Sequence, residues 1–134
     1  MKVDNSFGPV DIAISGLRAQ QKNMKLLSSN VANARTTDAG DGEPYRRVEA
    51  IFKADSKNIG GVTIDDISPD MSDFQKILNP GHPNADENGY VSMPNVQLPV
   101  EMMNLNIAAR AYQANAAILK RYQQMVNTTL ELLK

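Results

Sequence analysis

Apolar residues recur at helical spacing near the start of the chain. Between Val10 and Ala34 there is no proline and only one glycine, Gly16. The repeat alternates steps of four and three, which predicts a heptad seam along a helix of about 25 residues, roughly 37 Å long. Pro9 fits the first helical turn, where its missing N–H costs no hydrogen bond. The seam positions are Val10, Ile14, Leu17, Gln21, Met24, Ser28 and Val31.

The last quarter of the chain shows the same periodicity. Val100 to Lys134 contains neither glycine nor proline and follows directly on Pro99. We expect a helix of roughly 52 Å here. Its seam positions are Leu105, Ala109, Tyr112, Ala116, Leu119, Gln123, Val126, Leu130 and Leu133.

The middle of the chain has a different period. Six of the eight glycines and five of the seven prolines lie between Arg35 and Leu98, and both residues interrupt regular elements. Val48, Ala50 and Phe52 alternate with Arg47, Glu49, Ile51 and Lys53, which predicts a strand with one buried face. A second strand follows in "VTIDDI", after Gly60-Gly61, so the two should form a β-hairpin. Residues 68 to 98 are expected to form an ordered wrap or irregular loops.

These elements predict an α+β fold in which two long helices form a coiled-coil-like pair around a small β-hairpin and loop insert. Residues 1–34 would be an N-terminal assembly helix and residues 99–134 a C-terminal one. Residues 35–98 would be the central β-rich insert. Two helices alone leave most of their surface in water, so their outer faces matter for function.

The outer face of the C-terminal helix carries little charge. Residues 100–134 hold only six charged residues, and "RAYQANAA" at 110–117 is mostly alanine and amide. A solvated helix face usually carries more charge, often in i,i+4 pairs. We interpret this segment as packed on more than one side by helices of other subunits. The alternative is a helical hairpin whose amide face is simply soluble.

Composition excludes several classes of partner and chemistry. A net charge of -1 and a pI near 5.8 give no electrostatic reason to expect nucleic acid or an anionic membrane as a partner. The absence of cysteine excludes disulfides, thiolate metal sites and cysteine nucleophiles. The start lacks the apolar stretch of a cleavable signal peptide, and the longest apolar run, Ala116 to Leu119, is far too short to span a membrane.

Candidate chemical sites are weak. "NADENG" at 84–89 resembles the start of an EF-hand loop, but Asn84 replaces the first aspartate and Asn95 the closing glutamate. His82 has no cysteine or acidic partner at ligand spacing. We therefore expect no catalytic residue, no cofactor and no metal site. A deep pocket around His82 and Asp86 would be the clearest sign of an enzyme.

Two further polar pairs have structural interpretations. Asp65 and Asp66 are adjacent on a predicted strand, so their carboxylates should point to opposite faces and not share a proton. Arg46 and Arg47, in "PYRR", lack the interleaved aromatic residues of a nucleic-acid site. A salt-bridged strand edge is the favoured interpretation of this pair.

Four motifs together resemble the flagellar basal-body rod proteins, specifically those of the proximal rod, over nearly the whole chain. They are "SSNVANARTT" at 28–37, "GEPYRR" at 42–47, "HPNADENGYVSMPNV" at 82–96 and "EMMNLNIAARAYQAN" at 101–115. The first motif is shared across axial flagellar proteins, and the last two are specific in combination. Glu43, Asn84 and Leu105-Asn106 depart from the usual family residues.

The resemblance implies a structural subunit of the rod, the drive shaft that carries torque through the periplasm. It implies contacts with copies of itself, with the rod proteins FlgB, FlgF and FlgG, with basal-body adaptor proteins and with the flagellar type III export apparatus. Export would need no cleaved signal, and the terminal helices would become ordered on assembly. A soluble adaptor or export chaperone with a helical hairpin is the alternative. Expected interface residues are Ile14, Leu17, Met24, Asn30, Val31, Asn33, Leu105, Ala109, Tyr112, Asn115, Ala116, Leu119, Val126, Leu130 and Leu133.

Overall fold

The chain folds as two long helices flanking two small β-hairpins, in a computed structural model that describes residues 8–55 and 60–133. This confirms the predicted α+β class. In chain order the elements are α1 (Pro9–Ala32), β1 (Val48–Asp55), β2 (Gly61–Pro69), β3 (Gln75–Leu78), β4 (Tyr90–Met93) and α2 (Leu98–Leu132).

Both helices begin at a proline-containing turn. Pro9 opens α1, and the helix ends where the Asn33 side chain donates to the Ser29 carbonyl at 2.9 Å. α2 begins at Leu98, two residues before the predicted start, because Pro99 is tolerated in a first turn whose N–H groups have no helical partner. Neither helix is both long and apolar enough to cross a membrane.

The two helices run antiparallel and approach closely. Asn30, near the end of α1, meets Glu101 at the start of α2, while Gly16 lies against Asn115, which is fourteen residues from the first contact along each helix (30 − 16 = 115 − 101 = 14). The inward row of α1 consists mainly of small residues, which lets the two backbones come together. The buried residues of α1 are Ala13, Gly16, Ala19, Leu27 and Asn30.

The first hairpin matches the prediction. β1 pairs antiparallel with β2, from Val48 opposite Pro69 to Asp55 opposite Gly61. Val48 and Ala50 are half-buried, but the register shifts between Ile51 and Phe52, and Phe52 is 41% exposed. The extra residue at this bulge is Asp65 of β2, which lies between the partners of Ile51 and Phe52. The expected buried face of β1 ends at the bulge, where the local twist of the strand pair increases.

The first hairpin is fastened to α1 at its tip. The backbone N–H of Val62 donates to the Ser15 hydroxyl at 3.1 Å. Ile64, the buried residue of β2, lies in the same region as Ser15 and Ala19. The hairpin thus covers one side of α1.

A second hairpin lies within residues 68–98, where the sequence predicted only a wrap or irregular loops. β3 pairs antiparallel with β4, from Gln75 opposite Met93 to Leu78 opposite Tyr90. All residues of β3 are exposed, so this strand has no buried face to produce an alternating pattern. Val91 of β4 is buried, at 2% exposure.

The turn before Tyr45 accommodates Glu43 without strain. Gly42 takes a φ of 84°, a conformation that favours glycine. No described non-glycine residue has a positive φ, so Glu43 adopts an ordinary backbone conformation. The departure from the family pattern at this position therefore costs the turn nothing.

Candidate assembly interface

A buried polar cluster, here called the joint, connects the end of α1 to the start of α2. It comprises Asn30, Tyr45, Arg47, Asn95 and Glu101. Asn30 is completely buried, and its amide donates to the Val48 carbonyl and to Glu101 Oε2, each at 2.9 Å. Its carbonyl oxygen accepts from the Tyr45 hydroxyl at 3.0 Å and from the Val48 N–H at 3.1 Å. Both donors and both acceptor positions of this amide are therefore satisfied.

Glu101 and Arg47 form the charged centre of the joint. Glu101 is 1% exposed, and its Oε1 accepts from Arg47 Nε at 2.5 Å. Arg47 also pairs with Glu49 and, at 3.3 Å, with Asp70. Burial of Arg47 disfavours its charge, but the hydrogen bonds and charges of Glu49 and Glu101 outweigh burial and raise the pKa of the guanidinium above its ordinary value. The salt bridges predicted for Arg46 and Arg47 are found at Arg47. Arg46 instead donates to the carbonyls of Asp70 and Ser72, at 3.0 and 3.1 Å.

Asn95 attaches the second half of the insert to the same cluster. Its carbonyl oxygen accepts from the Arg47 N–H at 2.9 Å. Its amide donates at 2.9 Å to both the Asp70 carbonyl and the Ser72 hydroxyl. The joint therefore holds together α1, β1, the exit of β2 and α2, and no buried side-chain nitrogen or oxygen among the described residues lacks a partner.

Asp70, which pairs with Arg47 of the joint, should make the subunit sensitive to acid. Hydrogen bonds from the Ser72 backbone and hydroxyl, helped by Arg47, hold the pKa of Asp70 below its ordinary value of 3.8. A lowered folded-state pKa stabilises the fold above the unfolded pKa, and this contribution disappears as pH falls towards the folded value. The free energy of unfolding, measured from about pH 5 to about pH 2, should fall with pH. An Asp70→Asn variant should show a flatter curve; identical curves would exclude this role.

The predicted seam residues lie beside the buried row. Ile14, Leu17, Met24 and Val31 of α1 are all half-buried. A rotation of about 100° per residue places them on the side of α1 away from Ser15, which contacts the hairpin. The matching residues of α2 are also half-buried and lie away from the hairpin: Leu105, Ala109, Tyr112, Ala116 and Leu119. The two rows thus share one face of the helix pair.

The last part of α2 extends past the described part of α1. The contacts of Asn30 with Glu101 and of Gly16 with Asn115 place Pro9 level with Tyr122. Residues 120–133, here called the overhang, are all exposed. Three expected interface residues lie on it, with exposures of 37% for Val126, 56% for Leu130 and 78% for Leu133.

Three other expected interface residues make contacts inside the subunit. Asn30 belongs to the joint and is 0% exposed, so it presents no surface to a neighbour. Asn33 binds Ser29 and Thr36 at the end of α1. Asn115 lies against Gly16.

Sequence reasoning did not identify Gly16, Asn95 and Glu101 as contact-forming residues, and it predicted salt bridges for Arg47 without naming Glu101 as the partner. Gly16 gave a signal, because an isolated glycine in a long helix often marks a close approach. An acidic residue in the first turn of a helix, such as Glu101, ordinarily indicates a favourable charge at the helix N-terminus. Its burial depends on a partner in α1 that is 71 residues away.

The surroundings of His82 and Asp86 are those of a turn. Asp86 Oδ1 accepts from the N–H groups of Asn88 at 2.9 Å and Tyr90 at 2.8 Å. His82 Nδ1 accepts from the Asn84 N–H at 3.1 Å. A hollow of about 310 Å³ is lined by Asp86 and Tyr90 but not by His82. The two side chains therefore do not share one site.

Family models match the two helical regions of the chain. The model described as "Flagella basal body rod protein" matches residues 11–39, and "Flagellar basal body rod FlgEFG protein C-terminal" matches residues 87–132. A FlgC protein of Salmonella typhimurium, named as a flagellar basal-body rod protein, is 40% identical over 125 residues, covering 91% of this chain and 93% of the relative. The chain belongs to the FlgC family.

Two further FlgC relatives come from other bacteria. The protein of Agrobacterium fabrum is 38% identical over 127 residues, covering 92% of this chain and 91% of its own length. The protein of Borreliella burgdorferi is 33% identical over 148 residues, covering 96% of this chain and 97% of its own length. As a FlgC family member, the chain is a structural subunit of the flagellar basal-body rod. Both family models leave residues 40–86 unmatched, so they cover the two helices and β4 but not the first hairpin or β3.

Proposed function

We propose that this chain polymerises through α1 and α2 into the wall of the proximal rod, with its β-rich insert on the outside. The rod would transmit torque through the periplasm. Its neighbours would be copies of itself, the rod proteins FlgB, FlgF and FlgG, and basal-body adaptor proteins. The flagellar type III apparatus would export it without cleavage of a signal peptide.

The observation that carries this proposal is the exposed overhang. An isolated helix of this length is marginal in water, and most helical stability in proteins comes from packing an apolar face. Residues 120–133 nevertheless expose large apolar side chains on several sides. These are Tyr122, Met125, Val126, Leu130, Leu132 and Leu133. A neighbouring subunit would supply the missing contacts.

The joint supports a role in transmitting force. Arg47 and Glu101 are paired deep in the subunit, and Asn30 binds both α2 and β1. Satisfied buried polar networks rigidify the elements they connect. Force applied to the insert would therefore reach both helices without a flexible linker.

Substituting aspartate for Leu130 and Leu133 together should prevent assembly. Burying each leucine is worth about 1.5–3 kcal/mol, so we expect incorporation to fall by at least about tenfold. The chain is produced in a strain that lacks its own copy, and basal bodies are isolated and probed for it. Deleting residues 100–134 should also abolish incorporation, but that deletion removes Glu101 and so damages the fold.

The matched control is the double variant Gln124→Asp and Asn127→Asp. It adds the same charge to the same exposed segment, but on its amide face. The control should assemble normally. Normal incorporation of the leucine variant would contradict assembly through the helix seams. A closed complex of fixed size in place of an open polymer would favour the adaptor hypothesis.

A further inference from the structure

The edge of β1 that faces away from β2 carries backbone groups without a strand partner. The Asp70 N–H donates to the Arg47 carbonyl at 2.8 Å, so the Arg47 carbonyl points towards β2. Backbone direction alternates along an antiparallel pair, which turns the N–H and carbonyl groups of Val48 and Ala50 away from β2. The contacts of Val48 agree, because both of its backbone groups bind the Asn30 side chain.

The same alternation continues past the bulge. Val62 of β2 donates its N–H to Ser15, so it points away from its β1 partner, Ala54. Ala54 therefore faces the outer edge of β1, and so does Phe52, two residues earlier. Within residues 8–55 and 60–133, no group bonds to the outward backbone of Ala50 or Phe52. These two residues are here called the open edge of β1.

The open edge of β1 borders a groove of about 360 Å³ between β1, α1 and α2. Its lining is mixed, with the apolar side chains of Leu27 and Ile107 beside the amides of Gln20, Asn23 and Asn104. An extended polypeptide offers both backbone hydrogen-bonding groups and alternating side chains to such a surface. The groove therefore suits an added strand better than it suits a purely apolar ligand.

β3 has a matching outer edge. The Asn79 N–H donates to the Gly89 carbonyl at 2.8 Å, on the side of β4. By alternation the backbone of Ile77 also faces β4, whereas the backbones of Lys76 and Leu78 face outwards. All four residues of β3 are exposed.

The outer edges of β2 and β4 are bound inside the subunit. On β2, the side chains of Ser15 and Asp66 accept two outward N–H groups, at 3.1 and 2.7 Å. On β4, Asp86 binds both the N–H and the carbonyl of Tyr90, each at 2.8 Å. In the part of the chain that the structure describes, the edges of β1 and β3 are therefore the two available for further pairing.

We propose that β3 of a second copy of this chain adds to the open edge of β1 as an antiparallel strand. Leu78 of the second copy would lie opposite Ala50, and its Lys76 opposite Phe52. Each of these two pairs would exchange two backbone hydrogen bonds. This inference rests on the proposed polymerisation and adds a contact between inserts to the contacts of the helices.

The addition would join two marginal sheets into one larger sheet. Each hairpin forms a sheet of only two strands, and an isolated pair of strands is marginally stable in water. The combined order would be β2 and β1 of one copy followed by β3 and β4 of the next. Because the two edges that meet are different, the contact is heterologous and can continue from copy to copy.

The side chains of this register fit the groove. Ala50 and Phe52 line the groove, and residues opposite each other on paired strands have side chains on the same face. Leu78 of the second copy would therefore point towards Ile107. The two side chains are 61% and 58% exposed in the single subunit. A register shifted by two residues would place Lys76 opposite Ala54, which does not line the groove.

Charge also favours β3 as the added strand. Lys76 is the only charged residue of β3, and it has no ion pair within the described residues. Arg47 lines the groove but is already paired with Glu49, Asp70 and Glu101. Glu49 lines the groove as well and is 55% exposed. The groove thus presents excess negative charge to the incoming lysine.

Disulfide cross-linking tests the contact, because the chain has no cysteine of its own. Ile51 and Ile77 of two copies would form a non-hydrogen-bonded pair, with Cα atoms about 4.5 Å apart, which a disulfide can span. A strain that lacks its own copy produces the Ile51→Cys and Ile77→Cys chains together, and the isolated basal bodies are oxidised. We expect a mixed dimer, and no dimer when either variant is produced alone.

The matched control combines Lys53→Cys with Ile77→Cys. Lys53 lies two residues further along β1, so the predicted register leaves this pair diagonal and too far apart for a disulfide. A dimer from the control pair alone would refute the register. Incorporation of Ile51→Cys and Ile77→Cys without a dimer would refute strand addition and leave assembly through the helices standing.

Proline at the outer edge of β3 provides a second readout. Lys76→Pro removes an N–H that faces away from β4, so the pairing of β3 with β4 loses no hydrogen bond. Lys76→Ala is the control, since it removes the charge and keeps the N–H. The proline variant should be incorporated about two- to tenfold less than the alanine variant, because one hydrogen bond of the contact is lost. Denaturant unfolding of the two dilute chains should be the same, and equal incorporation would overturn the proposal.

Discussion

Replacing Glu101 with alanine should lower the free energy of unfolding by about 3 kcal/mol. The substitution leaves Arg47 buried with fewer carboxylates and removes one acceptor from the Asn30 amide. Breaking a buried pair by removing one partner costs more than the pair contributes, because the remaining charge stays desolvated. Arg47 keeps Glu49 and Asp70, so we expect the lower end of the usual range. Denaturant unfolding of the dilute chain measures the loss.

Glu49→Ala is the control for this prediction. It removes another carboxylate from the same guanidinium, but the Glu49 side chain is 55% exposed whereas that of Glu101 is 1% exposed. An exposed pair contributes less than about 1 kcal/mol. Glu101→Gln, which retains a hydrogen-bonding oxygen, should lie between the two. Equal losses from Glu49→Ala and Glu101→Ala would show that burial of the pair does not determine its contribution.

The helices and the first hairpin could be predicted because their signals are local. Proline and glycine are confined mostly to the middle of the chain, and both helices begin next to a proline. The alternation at Val48 and Ala50 similarly indicated β1. β3 carried no such signal, because none of its side chains is buried and pairing with β4 alone defines it.

The choice of buried row in α1 could not be predicted from the spacing of apolar residues. The seam was placed on the larger side chains, Ile14, Leu17, Met24 and Val31, which the fold leaves half-buried. The fully buried row contains Ala13, Gly16 and Asn30. Close approach of two helices favours small residues at the contact, whereas a search for a hydrophobic repeat selects large apolar side chains. If α1 packs against both α2 and a neighbouring subunit, it has two buried faces. The larger residues remain the predicted contacts with the neighbouring subunit.

The joint could not be predicted from local pattern because each of its polar residues is buried only in the presence of the others. Charged residues are almost never fully buried unless they are paired. Asn30 and Glu101 stand 71 residues apart, and Arg47 and Glu101 stand 54 apart. The family resemblance included Asn30, Arg47, Asn95 and Glu101 within its motifs but did not indicate that they meet.

Replacing Gly16 with leucine should destabilise the helix pair by about 2 kcal/mol. A Cβ atom at this position would lie 2.6 Å from Asn115 Nδ2 and 3.1 Å from its Cγ. The larger side chain would therefore displace the Asn115 side chain and crowd the contact of α1 with α2, despite the better helix propensity of leucine. Ser28→Leu, on the exposed side of the same helix, should change stability by less than about 0.5 kcal/mol.

Asn115 provides the internal test of this close approach, because removing its side chain vacates the space that an alanine at position 16 would need. The double variant Gly16→Ala and Asn115→Ala should therefore be more stable than the sum of the two single changes implies. Neighbouring residues typically show coupling of about 0.5–3 kcal/mol in such a cycle. Additive effects would mean that the two helices can shift apart at no cost, and the predicted loss with leucine would then also be absent.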